Sequence, residues 1–384
     1  MKTKAINPVE KAIRSWYHNL SEEIVASYNL HLDRLLANAP KRWIVYFPMV
    51  LLPCGSFNSD WSFILQSQAN TVLVSEYASD LWKLILENVG SKEGKGFLTH
   101  LAINSPIPRY ETASVGNELK ENVLRTPSGI VPLYGNFGPK LGPTHLPRQQ
   151  DLEEAFWVST KQNGITQIWA PLYSMFSRGN IGEKQRLIKF HSQDFHTNII
   201  LDTATAVDLY AGIGYFVFSY VKMGIAQVIG WELNPWSVEG LRRGALANGW
   251  SIRVIRTEDN LENFDEKIVV FQEDNIQAGE KLKKMKCLGN VIHVNCGLLP
   301  SSSDSWETAI TCLGCEGWLH LHQNVAEKDI EVQRSVIEDK LQLCLDKPGN
   351  CAKVKHIELV KTIAPQVWHC VYDVYITKNH ISIR

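Results

Sequence analysis

The sequence lacks a hydrophobic run long enough to span a membrane. Its longest apolar stretch, Ile44–Pro53, is interrupted by Pro48 and falls well short of the roughly 20 residues that a bilayer requires. Residues 1–20 contain no apolar core of signal-peptide length and are typical of an amphipathic helix. These absences argue against a secreted or membrane-embedded protein. We therefore expect a cytoplasmic protein without a membrane partner.

The sequence also lacks a cysteine framework. Its eight cysteines have no repeated spacing, and Cys312-Leu-Gly-Cys315 has no second C-x-x-C pair to complete a zinc site. His320 and His322 lie nearby, but they belong to a predicted strand rather than to a second metal-binding pair. The pattern predicts reduced thiols and no metal site.

Neither sign of charge predominates. Lys and Arg number 39 and Asp and Glu 40, for a net charge of −1, which excludes a bulk polycation but not a local basic patch.

A hydrophobic content of 45% excludes a mainly disordered chain. At about 150 residues per domain, 384 residues indicate two or three folded regions. We predict an α+β domain over residues 1–105, a middle region with a turn-rich linker over 106–200, and a third domain over 201–384.

Strand-like and helical segments alternate after residue 200, which predicts a parallel sheet with helices on both faces. The predicted strands are Ala204–Tyr210, Ala226–Glu232, Lys267–Phe271, Val291–Asn295 and Trp318–His322. Two further runs, Val354–Ile363 and Val367–Ile376, are joined by three residues and must form an antiparallel hairpin. A mostly parallel sheet that ends in such a hairpin resembles the Rossmann-like class I methyltransferase fold.

A glycine motif, Asp208-Leu-Tyr-Ala-Gly-Ile-Gly-Tyr-Phe216, stands where the first strand of this sheet turns into a helix. Gly212 and Gly214 permit a tight turn and a close approach of the backbone to a ligand. Val217 occupies the position at which a dinucleotide fingerprint has its third glycine. The motif therefore favours S-adenosyl-L-methionine, which carries no phosphate.

Polar residues at the ends of the next strands complete the predicted nucleoside pocket. Glu232 ends the second strand and is suited to the ribose hydroxyls, about twenty residues after the glycines. Asp274 and Asn275 follow the third strand and are suited to the edge of adenine. With Asp208 and the two glycines, they are the predicted cofactor-binding residues of this domain.

Several sequence blocks together resemble the tRNA wybutosine-synthesizing protein 2 family, in its eukaryotic branch. The blocks are Pro40–Trp43, Pro132–Gly138, Met175–Lys184, Asp208–Phe216, Glu232–Pro235 and His293–Ser302. The resemblance runs from about residue 40 to the end, and Met175–Lys184 is its most specific part. Two positions depart from the family: Gln323, where it usually has Glu, and Cys296, where it usually has Leu.

The resemblance implies a transferase acting on phenylalanine tRNA. The family moves the 3-amino-3-carboxypropyl group of S-adenosyl-L-methionine onto C7 of 4-demethylwyosine at position 37 and releases methylthioadenosine. The alternatives are a guanosine-37 N1-methyltransferase of tRNA and a non-catalytic tRNA-binding protein. Nothing in the sequence indicates an obligatory protein partner.

The resemblance and the chemistry of the transferred arm together indicate further site residues. Ser177 and Lys184 lie in the most specific block; a spacing of seven would place them on one face of a helix, where a hydroxyl and a cation suit the polar groups of the arm. Arg178, a candidate for a tRNA phosphate, the arm or the base, and Asn295, a candidate for the target base, are the predicted catalytic residues. His293 lies on the same predicted strand as Asn295 and is expected to pack in the core rather than to take part in catalysis.

The tRNA must be held through phosphate contacts, and the segment from Lys161 to Lys189 is the best predicted basic surface. It contains five basic residues against Glu183. Basic residues in the first 105 positions form a second candidate surface. Trp157 and Trp169 are favoured as core residues over stacking platforms for bases.

Overall fold

The computed structural model describes residues 6–57, 59–66, 72–105, 110–112, 119–121, 129–142, 145–192, 200–256, 264–285, 289–345 and 347–378. These residues group into two compact units. The first contains the described residues up to Thr160 together with Ala170–Met175, and the second contains Lys161–Trp169 and the described residues from Phe176 onward. The predicted boundaries at residues 105 and 200 stay predictions about folding domains.

The first unit combines helices with a small mixed sheet. Its helices are α1 (Pro8–His18), α2 (Glu22–Ser27), α3 (Leu32–Ala37), α4 (Ser62–Gln66), α5 (Val72–Glu93) and α6 (Gln149–Glu154). Its strands are β1 (Ile44–Tyr46), β2 (Met49–Leu52), β3 (His100–Ile103), β4 (Tyr110–Thr112), β5 (Leu119–Glu121) and β6 (Val131–Tyr134). A four-stranded sheet has the order β1-β2-β3-β6, and β4 pairs with β5.

Helix α1 shows how the sequence builds this unit. The Asn7 side chain accepts a hydrogen bond from the Val9 amide, and Pro8 occupies the first turn, where its missing N–H costs nothing. The amphipathic pattern predicted for residues 1–20 buries Ile13 and Trp16 on one face. The Trp16 indole donates to the Tyr77 carbonyl of α5 at 2.8 Å, which fixes the two helices against each other.

The second unit is an α/β sandwich around one large sheet. Strand β8 (Ile165–Trp169) belongs to this unit, and β7 (Val158–Gln162) is divided between the two units at Thr160. Its helices are α7 (Ile181–Ile188), α8 (Val217–Met223), α9 (Pro235–Ala247), α10 (Ala278–Lys284), α11 (Trp306–Cys312) and α12 (Ile330–Cys344). Its further strands are β9 (Ala204–Asp208), β10 (Gln227–Trp231), β11 (Ile252–Ile255), β12 (Ile268–Phe271), β13 (Asn290–Cys296), β14 (Glu316–Ala326), β15 (Cys351–Ala364) and β16 (Val367–Thr377).

The large sheet has the order β11-β12-β10-β9-β13-β14-β16-β15. Strands β9 to β14 pair in parallel, and β16 pairs antiparallel with both β14 and β15. The predicted class I methyltransferase fold is confirmed. The sequence analysis missed β11, because a four-residue strand with an exposed Arg253 in its middle carries too little hydrophobic pattern to be distinguished from a loop.

The carboxyl ends of the parallel strands meet at one edge of this sheet, where open α/β sheets bind their ligands. The last pair between β13 and β14 joins Cys296 to Leu321. Strand β14 then continues to Ala326, which pairs with Val367 of the hairpin. The hairpin tip therefore lies at the same edge as the glycine motif.

Among the described residues, no helix combines the length and the apolar character that crossing a bilayer requires. No disulfide joins the seven cysteines in the described ranges.

Candidate cofactor site

The glycine motif forms the turn between β9 and α8, as predicted. Gly212 has φ +54° and Gly214 has φ +90°, values that glycine adopts at little cost. A Cβ at Gly214 would lie 2.6 Å from Cζ of Phe218. The turn therefore needs glycine at this position for its backbone conformation and for the space beside the Phe218 ring.

Asp208 is fully buried at the end of β9. Its Oδ1 accepts hydrogen bonds from the Tyr210 amide and from Nδ2 of Asn295, both at 3.1 Å. Its Oδ2 has no hydrogen-bond partner among the described residues. Burial outweighs these hydrogen bonds and raises the pKa of Asp208 to about 7. A buried carboxylate oxygen without a donor is suited to a ligand that brings a positive charge or an N–H group.

Glu232, directly after β10, holds the glycine turn in place. Its Oε2 accepts from the Gly212 amide and its Oε1 from the Asn234 amide, each at 2.8 Å. Burial raises the pKa of this carboxyl group despite those bonds. Each carboxylate oxygen can still accept a further hydrogen bond, so the predicted ribose contact is compatible with this arrangement.

Asp274 and Asn275 lie where the sequence places them but make local contacts. Asp274 is exposed, and its side chain accepts from the Ile276 amide at the start of a short turn. Asn275 donates from Nδ2 to the Leu209 carbonyl at 2.7 Å, which ties the end of β12 to the glycine turn. Contact of either residue with adenine stays a prediction.

Ser177 and Lys184 do not share one helix face, and that part of the prediction is wrong. Ser177 precedes a 3₁₀ turn over Arg178–Asn180, and α7 begins at Ile181. The two residues are connected by Tyr215 instead. The Tyr215 hydroxyl accepts a hydrogen bond from the Ser177 amide at 3.1 Å, and the Lys184 amino group lies 5.6 Å from the centre of the Tyr215 ring.

Lys184 is 3% exposed, an unusual position for a lysine. Its Nζ donates to the side-chain oxygens of Gln162 at 2.7 Å and Gln167 at 2.8 Å. It also lies 5.2 Å from the centre of the Phe176 ring. No carboxylate pairs with it among the described residues, and burial lowers its pKa to about 7. An enclosed amine without a counter-ion is suited to an anionic ligand group.

The two predicted catalytic residues differ in their surroundings. Arg178 is exposed and makes no hydrogen bond or ion pair with the described residues. Asn295 is 1% exposed and donates to Asp208, so its visible role is to orient that carboxyl group. His293 is fully buried and hydrogen-bonded to His320 at 3.0 Å, which confirms that it packs in the core.

Three residues of this site were not predicted from the sequence. Gln162 and Gln167 give no motif signal, because an amide in a short strand is ordinary in sequence. Tyr215 lies inside the glycine motif, but the spacing of the motif does not indicate that its hydroxyl contacts Ser177.

Trp169, 3% exposed and stacked on Phe176 at 4.6 Å, is a core residue as predicted. Within the described ranges, no group of three or more His, Cys, Asp or Glu side chains is arranged to hold a metal ion.

Comparison with known proteins identifies the family. No family model matches the chain. The chain is 43% identical over 340 residues to tRNA wybutosine-synthesizing protein 2 of Schizosaccharomyces pombe, covering 87% of this chain and 72% of that protein. It is 32% identical over 393 residues to the protein of the same name from Saccharomyces cerevisiae, covering 92% and 78%. The chain belongs to the tRNA wybutosine-synthesizing protein 2 family.

Solved structures share its fold. The structure of P. horikoshii TYW2 in complex with MeSAdo aligns with a TM-score of 0.55 and 17% identity, covering 96% of this chain and 100% of that one. Trm5b from Pyrococcus abyssi aligns with a TM-score of 0.53 and 13% identity, covering 91% and 79%. Both alignments support the class I methyltransferase fold of this member of the tRNA wybutosine-synthesizing protein 2 family.

Proposed function

We propose that this protein transfers the 3-amino-3-carboxypropyl group of S-adenosyl-L-methionine to C7 of 4-demethylwyosine at position 37 of phenylalanine tRNA. Methylthioadenosine is the second product. Membership of the tRNA wybutosine-synthesizing protein 2 family supports the substrate, and the glycine turn at the carboxyl edge of the sheet supports the donor.

The residues at this edge fit S-adenosyl-L-methionine. Gly212 and Gly214 leave the turn free of side chains, and Glu232 offers acceptor positions for ribose hydroxyls. Asp208 offers a buried oxygen that has no hydrogen-bond partner among the described residues, which suits a cofactor that carries both a sulfonium and an ammonium group. Asp274 and Asn275 flank the turn and are proposed to contact adenine.

Arm transfer requires the site to select one carbon among three. When bound, the cofactor supplies a sulfonium whose methyl, arm and ribose carbons can each be attacked in line. The protein must therefore hold the arm in a fixed orientation toward the nucleophile. Lys184 is proposed to hold the carboxylate of the arm through a charge-assisted hydrogen bond, and Ser177 to contact its polar groups.

The single observation that carries this proposal is the environment of Lys184. In the described part of the chain, two amide oxygens and two aromatic rings surround its amino group, without a carboxylate, and a lysine in such surroundings is costly to bury. A bound carboxylate would offset that cost. The same contact would hold the arm in the one orientation that its transfer requires.

We further propose phenylalanine tRNA as the macromolecular partner, with Arg178 and Asn295 near the target base. The cytoplasm is the proposed compartment, because no disulfide joins the described cysteines, as is usual in a reducing environment.

The experiment uses S-adenosyl-L-methionine labelled at the carboxyl carbon in one reaction and at the methyl carbon in another. The acceptor is phenylalanine tRNA carrying 4-demethylwyosine, and the control acceptor carries unmodified guanosine at position 37. We expect carboxyl label in the modified tRNA together with released methylthioadenosine, and no label in the control tRNA.

The other outcomes identify the alternatives. Methyl label in the control tRNA would make the protein a guanosine-37 methyltransferase and refute arm transfer. Absence of both labels, with tRNA binding retained, would indicate a non-catalytic tRNA-binding protein.

A further inference from the structure

Lys361 of strand β15 lies directly against Gly179, in the turn between Ser177 and α7. A Cβ at Gly179 would be 2.8 Å from both Cδ and Nζ of Lys361. The side chain of Lys361 therefore crosses the backbone of Gly179 where a larger residue would displace it. This contact brings the Lys361 charge next to the residue that precedes Gly179, the exposed Arg178.

A chain of ring contacts places Lys361 on the side of the sheet that faces the glycine turn. Lys361 pairs across the hairpin with His369, and cross-strand partners project from the same face. The His369 and His322 rings are hydrogen-bonded at 2.9 Å. The His322 ring lies 5.0 Å from the ring of Phe216, the last residue of the glycine motif. Lys361 thus borders the crevice in which the cofactor site lies.

The two cations have no anionic partner in the described part of the chain. Glu358, on the same strand, is hydrogen-bonded to His356 at 3.0 Å and lies 3.9 Å from Arg186. Burial and then the charge of Lys361 lower the pKa of His369 to about 4, so that ring is neutral near pH 7. An anion beside Gly179 could therefore be bound by both cations without competition from a carboxylate of the described residues.

We propose that Arg178 and Lys361 together bind a backbone phosphate of the tRNA next to the nucleotide that is modified. The proposal rests on the proposed function, which supplies the RNA. A phosphodiester fits better than the carboxylate of the cofactor arm, because Arg178 is exposed and Lys361 partly exposed, whereas the buried Lys184 is available to the arm. Guanidinium groups bind phosphate oxygens in a bidentate manner, and a neighbouring ammonium adds a point charge.

The test uses Lys361→Gln, which keeps most of the stem that covers Gly179 and removes the charge. Lys355→Gln is the matched control, since Lys355 is an exposed lysine on the same strand without a described ion pair. Affinity for phenylalanine tRNA is measured over a series of salt concentrations, and affinity for S-adenosyl-L-methionine in parallel. Unfolding of each variant confirms that the fold is intact.

We expect Lys361→Gln to weaken tRNA binding by roughly three- to tenfold and to reduce the slope of log affinity against log salt by about 0.7 to 1. Lys355→Gln should leave both nearly unchanged, and Lys361→Arg should restore both. Cofactor affinity should be the same in all four proteins. A loss of cofactor affinity with unchanged tRNA binding would overturn the proposal, because the site would then hold the arm. Equal tRNA binding by the two Gln variants would overturn it as well.

The labelling assay, run on the same proteins, distinguishes this proposal from the proposed function. If the wild type transfers no label while Lys361→Gln selectively weakens tRNA binding, the phosphate site stands and the reaction does not. If the wild type transfers carboxyl label and the two Gln variants bind tRNA equally, the reaction stands and the phosphate site does not.

Discussion

The Arg186 guanidinium of α7 donates to both carboxylate oxygens of Asp373 in β16, at 2.6 and 3.1 Å. The same guanidinium donates two hydrogen bonds of 2.8 Å to Glu183, three residues before it. Asp373 is also hydrogen-bonded to His320 at 2.7 Å. This buried network attaches α7 to the antiparallel end of the sheet. Because Lys184 lies on α7, the network also determines where its amino group is held.

Asp373→Asn should therefore destabilise the protein strongly. The substitution removes the charge of one of the two carboxylates to which Arg186 is hydrogen-bonded and weakens the acceptor of His320. Breaking a buried, hydrogen-bonded ion pair is costly, and we expect a loss of about 3 kcal/mol in the free energy of unfolding. Denaturant unfolding at neutral pH measures it. Asp339→Asn, at an exposed position of α12 without a described ion pair, is the control and should change stability by less than about 0.5 kcal/mol.

The pH dependence of this difference follows from the pKa of Asp373. Burial opposes its ionisation, but His320 and Arg186 outweigh burial and lower the pKa to about 2. A carboxyl group whose pKa is lowered on folding stabilises the folded state above its unfolded pKa and loses that contribution as pH falls through its folded pKa. The gap between wild type and Asp373→Asn should be complete above about pH 4 and shrink toward pH 2. A constant gap over this range would contradict the assignment.

Lys184→Met should affect S-adenosyl-L-methionine and methylthioadenosine differently, since methylthioadenosine lacks the arm and, with it, the sulfonium charge. S-adenosyl-L-methionine carries the carboxylate proposed to contact Lys184, and methylthioadenosine lacks it. We expect cofactor affinity to fall by about tenfold or more, the equivalent of one charge-assisted hydrogen bond, and methylthioadenosine affinity to stay the same. Titration calorimetry measures both, with Lys189→Met as an exposed control. An equal loss for both ligands would mean that Lys184 only supports the fold of the site.

Proton uptake provides a second readout for Lys184. Burial lowers its pKa to about 7, so much of the amine is neutral at pH 8 before a ligand binds. A bound carboxylate favours the ammonium form. Binding of S-adenosyl-L-methionine at pH 8 should therefore take up protons, as seen by calorimetry in buffers of different ionisation enthalpy. This component should be absent in Lys184→Met, and its persistence there would assign the uptake to another group.

Asp208→Asn should increase stability and weaken cofactor binding. Burial raises the pKa of Asp208 to about 7. A carboxyl group with a raised pKa contributes stability below its unfolded pKa and loses that contribution as pH rises through the folded value. The neutral amide can still accept from Asn295 and Tyr210 and avoids the loss. We expect the variant to be more stable than wild type at pH 8, by roughly 1 to 4 kcal/mol, and close to it at pH 4.

Cofactor affinity should change in the opposite direction to stability in Asp208→Asn. The substitution removes a negative charge that attracts the sulfonium and ammonium groups of the cofactor, so binding at pH 8 should weaken by about tenfold. Asp265→Asn, at an exposed position, should alter neither property. A variant that is less stable than wild type at pH 8 would show that the ionised form of Asp208 is not disfavoured in the fold.

Local signals in the sequence account for the parts of the structure that could be predicted. Helix α9 begins at Pro235 because the Asn234 side chain accepts from the Trp236 amide and Pro235 occupies the first turn. The hairpin of β15 and β16 follows from two strand-like runs with too few residues between them for a helix. The glycine turn follows from a motif of nine residues. Each of these signals involves neighbours in the chain.

The contacts that complete the site are not local. Tyr215 reaches the Ser177 amide across 38 positions, and Arg186 reaches Asp373 across 187. Helix periodicity predicted a shared face for Ser177 and Lys184, but a 3₁₀ turn over Arg178–Asn180 separates Ser177 from α7, which begins at Ile181. Such pairings depend on side-chain directions and on the order of strands in the sheet, and neither can be read from spacing alone.

Gly214→Ala tests whether the glycine turn is required for space as well as for its backbone conformation. Gly249 is a matched control, since it has φ +77° and an added Cβ would meet no atom within 4 Å, whereas Gly214 has φ +90° and a Cβ would lie 2.6 Å from the Phe218 ring. Both alanine variants bear the backbone strain of about 1 kcal/mol, but Gly214→Ala must also displace the ring, at a further cost of about 1 to 3 kcal/mol. We expect Gly214→Ala alone to lose cofactor binding, measured by calorimetry beside thermal unfolding. If Gly249→Ala is equally destabilised and Gly214→Ala still binds the cofactor, strain alone explains the glycine and the turn does not form the cofactor site.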